Sequence, residues 1–180
     1  MEIAVMKKIN TNILIAFVLI TLAVTLRLLP HPANFAPVAA VAIFGGAVLP
    51  RRLAVWTPLL AMVVSDIFIG FYSTILVTWA CYALIALASS YWLRKPNLAK
   101  GAALILSGSL FFFTVTNFSV WLWGGMYAHT WSGLAECYNM ALPFFRNTAM
   151  SDLVYTGALF GLYSLAARLA SKTEAKVFVK

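Results

Sequence analysis

The sequence predicts an all-α integral membrane protein, one domain over residues 1–180 with six transmembrane helices and both termini cytoplasmic. Composition is the first reason: 63% of the 180 residues are hydrophobic and 10% charged, against about 45–50% and about 25% in soluble domains. That much apolar surface needs lipid as its solvent. Segmentation is the second, because the apolar residues fall into six runs divided by prolines, glycines and short charged clusters. The third is charge placement. With six spans, Lys7, Lys8, Arg51, Arg52, Arg94, Lys95, Lys100, Arg168, Lys172, Lys176 and Lys180 share one face, eleven of the thirteen basic residues. Basic loops mark the cytoplasmic side, which makes that face cytoplasmic. A net charge of +8 distributed in this way argues against a nucleic-acid partner.

The first span is expected over 12–29, behind a short basic lead. No small-x-small cleavage site precedes Arg27, so an uncleaved helix is preferred to a signal peptide. Three prolines among residues 30–37 of Arg-Leu-Leu-Pro-His-Pro-Ala-Asn-Phe-Ala-Pro forbid a continuous helix and predict an ordered turn. The next run, 35–49, falls short of the about 20 residues that a span needs. Small residues recur four apart there, Ala36 with Ala40 and Ala42 with Gly46, a pattern that lets another helix approach closely. Spans 53–71 and 74–93 flank a tight turn at Gly70–Ser73, and 101–123 follows a basic loop. The last span is expected over 148–167, with Gly157 and Gly161 four apart. Between the last two lies the long polar island of the chain, 124–147, read as an outer loop acting as a lid.

Polar side chains fall in the outer halves of three helices. Thr74, Thr78 and Cys81 share a face of the fourth, Thr114, Asn117 and Trp121 of the fifth, and Thr148, Asp152 and Thr156 of the sixth. These stripes predict a cavity open to the outside beneath the lid. Ionisable groups inside a span are costly and ordinarily face the bundle interior or water, which singles out Asp66 and Asp152. The plainer alternative pairs these aspartates with Arg27 or Arg146. His129 reads as an exposed loop residue, whereas His31 is fixed between two prolines. The tryptophans at 121, 123 and 131 fit an interfacial belt. A cysteine in a membrane helix is ordinarily a small apolar filler. Cys81 and Cys137 form no CxxC or CxxH pattern, and a disulfide between them would need both at one membrane face. The chain shows no GxSG, GxGD or HExxH motif, so transport is preferred to intramembrane catalysis. Acid–base chemistry by Asp66 and Asp152 would require them to be close together.

RLLPHPANFAPVAAVAIFGGA, NFSVWLWGGMY and PFFRNT together resemble the S-components, the substrate-binding subunits of energy-coupling-factor transporters, over about Arg27 to Tyr163. Within that group the chain is most similar to the solitary cobalamin-specific BtuM family. It departs in the first helix, where Thr21 and Thr25 stand at the spacing of the Ala pair that S-components use for docking. The resemblance implies an S-component-like bundle that takes cobalamin from the outer face, with no cofactor of its own. Its partners would be the vitamin, the lipid bilayer and a shared energy-coupling module. It also implies that the Cys81 thiolate ligates cobalt and displaces cyanide from cyanocobalamin; a soft thiolate suits that metal. At 1.5 Å per residue, Cys81 would lie roughly 10 Å below the outer surface. Asp66, Thr78, Tyr82, Asn117, Trp121, Tyr127, Glu136, Arg146, Asp152 and His31 are then the expected ligand contacts. An S-component-like transporter for another vitamin or small precursor is the alternative.

Overall fold

The computed structural model describes residues 2–94 and 97–177, and among these the secondary structure is entirely helical. The helices are α1 (Glu2–Leu28), α2 (Val38–Val48), α3 (Arg51–Ile69), α4 (Ile75–Trp92), α5 (Leu98–Trp123) and α6 (Trp131–Val177). Four stretches, Asn10–Leu28, Arg51–Ile69, Ile75–Trp92 and Ala99–Trp123, are long and apolar enough to cross a membrane. Of the basic residues assigned to one face, the side chains of Lys7, Lys8, Lys95, Lys172, Lys176 and Lys180 lie outside the described residues.

The molecule is turned inside out relative to a soluble protein. Phe17, Phe68 and Leu76 are 66%, 71% and 71% exposed, while Ser65, Asp66, Ser89 and Ser151 are fully buried. Only an apolar solvent makes that arrangement favourable. The chain is a membrane-embedded helical bundle.

Its organising element is the shortest helix. α2 packs against all five others, and Val38 through Gly46 are buried without exception. Its alanines, valines and glycines make this possible, because a thin helix can be surrounded at close range. Gly46 is where the predicted small-residue contact occurs. A Cβ there would sit 2.5 Å from the Ser89 Cβ and 2.6 Å from the Ala86 carbonyl oxygen of α4. Ser89 also donates its hydroxyl to the Ile43 carbonyl across the same seam. By contrast, Cβ atoms at Gly157 and Gly161 would meet nothing within 4 Å, so that pair faces open space.

At the α2–α3 and α4–α5 end of the bundle, Arg51 lies 4.0 Å over the ring of Tyr91. At the opposite end, α1 and α3 finish side by side, joined by Arg27 and Asp66. Gly70 ends α3 at φ 105°, a left-handed conformation that favours glycine, and its N–H caps the Asp66 carbonyl.

The main departure from expectation is the region 124–147. Only residues 124–130 lie outside helix; from Trp131 onward the chain is helical and continues without a break through residues 148–167, where the last span is expected. The start is local chemistry: the Thr130 hydroxyl accepts the Gly133 N–H at 3.1 Å, and its carbonyl accepts the Leu134 N–H. Pro143 lies inside the helix. It removes one backbone donor but does not stop the helix. The stretch expected as a lid is therefore mostly the first third of a 47-residue helix, packed on α5. Tyr138 donates to the Thr114 carbonyl at 2.7 Å, and the Cys137 thiol reaches the Asn117 carbonyl at 3.4 Å.

Candidate ligand-binding site

The short α2 creates the site. Eleven residues of helix rise only about 16 Å, half of a hydrocarbon layer of about 30 Å. The bundle is thus filled by α2 at one end and left open at the other. That unfilled half is a cavity of about 490 Å³ with walls from all six helices, inside the range of roughly 300–1,000 Å³ for small-molecule sites.

The proline-rich segment between α1 and α2 borders the cavity through His31, Asn34 and Ala36. It is ordered, as expected, and several bonds fix it. The Phe35 N–H closes a turn on the Pro32 carbonyl at 2.9 Å, with Asn34 at φ 61°, a conformation asparagine tolerates. Two α6 side chains hold the segment from the other side: Asn147 donates to the Ala33 carbonyl at 2.9 Å and Ser151 to the Ala36 carbonyl at 2.8 Å. Both His31 ring nitrogens face carbonyl oxygens, those of Pro32 at 2.8 Å and Arg27 at 3.2 Å.

The two aspartates sit in different settings. Asp66 is fully buried and takes the plainer of its two expected roles: Arg27 Nη2 meets its Oδ1 at 2.8 Å and the Trp79 indole N–H its Oδ2 at 2.7 Å. Arg27 also reaches the Ser65 hydroxyl and the Met62 thioether. The guanidinium borders the cavity; Asp66 stands behind it. Asp152 borders the cavity itself, is 2% exposed, and accepts the Ser109 hydroxyl at 2.6 Å. It pairs with neither Arg27 nor Arg146. The two carboxylates share no hydrogen-bond partner among the described residues.

Five of the expected contact residues do line the cavity: His31, Thr78, Tyr82, Asn117 and Asp152. The others do not. Glu136 and Arg146 are exposed on α6. Trp121 bonds the Ala128 carbonyl at 2.9 Å and packs against His129, and Tyr127 lies in the 124–130 turn. Cys81 is 1% exposed and a free thiol, but it is not part of the cavity wall. Cys137 is likewise free, so no disulfide joins them. The aromatic wall went unassigned in the sequence. Phe112 stacks on Tyr82 at 4.9 Å, and Phe113 packs on Phe145 at 4.7 Å. The only signal was the Phe111–Phe113 and Phe144–Phe145 runs. Tyr72, in the turn after α3, also borders the cavity. Burial pushes its phenol above the ordinary range, and the Thr78 hydroxyl bonded to it works the other way.

A family model described as "Family of unknown function (DUF6580)" matches residues 7–175, nearly the whole chain. The chain belongs to this family. Neither a curated protein nor a solved structure matches it. Membership brings no activity with it.

Proposed function

We propose that the chain is a six-span substrate-binding transport protein that takes a small vitamin or vitamin precursor from the outer face into this cavity. Both termini and the basic clusters then face the cytoplasm across a bacterial inner membrane, and a shared coupling module would supply energy. The observation that carries this reading is the cavity. It is walled by all six helices and combines aromatic rings with a buried carboxylate, beneath an ordered cover. Its size suits a compact ligand.

Native mass spectrometry of protein purified in mild detergent tests the proposal. Wild type is expected to carry a co-purifying small molecule. Thr148→Phe, which places a ring in the cavity, should reduce its occupancy about tenfold or more while the bundle stays folded. Wild-type protein that carries nothing, from cells grown in rich medium, would overturn it.

Cobalamin is the second reading. The observation in its favour is that Cys81 directly precedes Tyr82 and lies one turn beyond Thr78, both in the cavity wall. Cys81 is 1% exposed, so for its thiolate to reach cobalt the packing that buries it must open, and a corrin needs the cavity to widen. If it binds, cyanocobalamin added to purified protein should change its visible absorption as sulfur replaces cyanide on cobalt. Cys81→Ala should abolish the change. An unaltered wild-type spectrum would remove cobalamin and leave the small-ligand proposal standing.

A further inference from the structure

We infer that the ligand of this cavity is an organic monocation, a flat aromatic or alicyclic body bearing an ammonium group that docks on Asp152. The inference rests on the cavity being a ligand site, as proposed above, and adds the chemical class.

Charge comes first. Arg27, the cation on the wall, is consumed: its guanidinium is paired with Asp66 and bonded to Ser65 and Met62. Asp66 is in turn completed by the Trp79 indole. That unit is neutral. His31 sits at the exposed mouth with its ring nitrogens against the backbone carbonyls of Pro32 and Arg27. Asp152 is different. It is 98% buried, it borders the cavity, and the Ser109 hydroxyl is its one hydrogen-bond donor among the described residues. No cationic side chain among the described residues pairs with it. A carboxylate has about four acceptor sites, and a buried one without a counter-charge is costly. A ligand cation with N–H donors would supply that counter-charge.

The wall hydroxyls and amide agree independently. Thr78 donates to the Thr74 carbonyl, Thr116 to Phe112, Thr148 to Phe144, and the Asn117 amide to Phe113. Each spends a donor on its own helix, four residues back. Thr116 and Thr148 present lone pairs to the cavity, Asn117 keeps its carbonyl oxygen and one N–H, and the Thr78 hydroxyl is shared with Tyr72. A ligand rich in acceptors, such as a carboxylate or phosphate, would find Arg27 already paired with Asp66 and its own charge opposed by Asp152. A ligand rich in donors would find acceptors. The remaining wall is ring faces, with Tyr82 stacked on Phe112 and Phe113 packed on Phe145. Ring faces attract cations and accommodate flat apolar bodies.

Three matched probes test this by calorimetry on ligand-stripped wild-type protein at pH 7: benzylamine, benzyl alcohol and phenylacetate. Benzylamine, charged at that pH, is expected to bind at least tenfold more tightly than the other two. Asp152→Asn should erase that preference, and Asp152→Glu should retain it. Equal or tighter binding of phenylacetate or benzyl alcohol to wild type overturns the inference without needing any variant. The ligand that co-purifies with wild type provides a second readout. If that molecule is neutral or anionic, the monocation is wrong and the small-ligand function survives. If no molecule co-purifies and no probe binds, both fall together.

Discussion

Gly46→Ala is expected to destroy or severely weaken the folded bundle, although alanine is the better helix former by about 1 kcal/mol. The reason is distance. The added Cβ would lie 2.5 Å from the Ser89 Cβ and 2.6 Å from the Ala86 carbonyl oxygen, and the second of these is backbone that no rotamer change can move. Relief requires α2 and α4 to separate. Separation would break the Ser89–Ile43 hydrogen bond and open the cluster of Ala42, Ile43, Ile85 and Ala86. Overpacking of this kind costs about 3 kcal/mol at the upper end of its usual range. Gly45→Ala is the internal control: its Cβ would meet Leu49 at 3.7 Å and Leu19 at 4.0 Å, ordinary contacts, and should be neutral or slightly stabilising. Thermal melting of the two variants in the same detergent checks the contrast. Similar melting temperatures for the pair would mean that α2 is not tightly enclosed.

The same helix shows how far the sequence could be read. Its shortness, its small residues and the proline segment before it were all legible, since each is a local property of composition. What shortness leads to was less legible. A half-length helix surrounded by five others leaves a void, and the void's walls depend on the rotation of every neighbour. Cys81 illustrates the difficulty. At about 100° per residue, Tyr82 lies about 40° to one side of Thr78 and Cys81 about 60° to the other. Both share a broad face with Thr78, and only packing decides which of them lines the cavity. The bundle turned Tyr82 inward. The stripe residues Asn117 and Asp152 were found because polar groups in lipid have few places to go. Phe112, Phe113 and Phe145 were missed because an aromatic ring suits lipid and cavity equally well. The polar island 124–147 reads as a loop because it is the long interruption between apolar runs. Thr130 and the docking of Tyr138 and Cys137 on α5 make most of it helix instead.

Removing Arg27 is the other substitution with a large expected effect. Its partner Asp66 is 0% exposed, so Arg27→Ala leaves a buried carboxylate with only the Trp79 indole to satisfy it. Breaking one side of a buried ion pair costs about 3–5 kcal/mol, whereas replacing both charges can be close to neutral. Arg27→Ala should therefore melt far below wild type, and Arg27→Met combined with Asp66→Asn should recover most of the loss. Arg27→Lys should fall between, because one ammonium cannot serve Asp66, Ser65 and Met62 together. If the double variant is no more stable than Arg27→Ala, the cost lies in packing around the guanidinium and not in the orphaned charge. Arg27 also stands one turn before His31 and gives that ring its carbonyl oxygen, at the point where α1 leads into the cavity cover. The pair thus clamps one end of the cover to α3, while Asn147 and Ser151 clamp the other to α6. Amide exchange across residues 29–37 should accelerate in Arg27→Ala and also in the double variant, because restoring charge balance does not rebuild the clamp. Recovered stability with persistently fast exchange would separate the two roles of one arginine: neutralising Asp66, and holding the entrance closed.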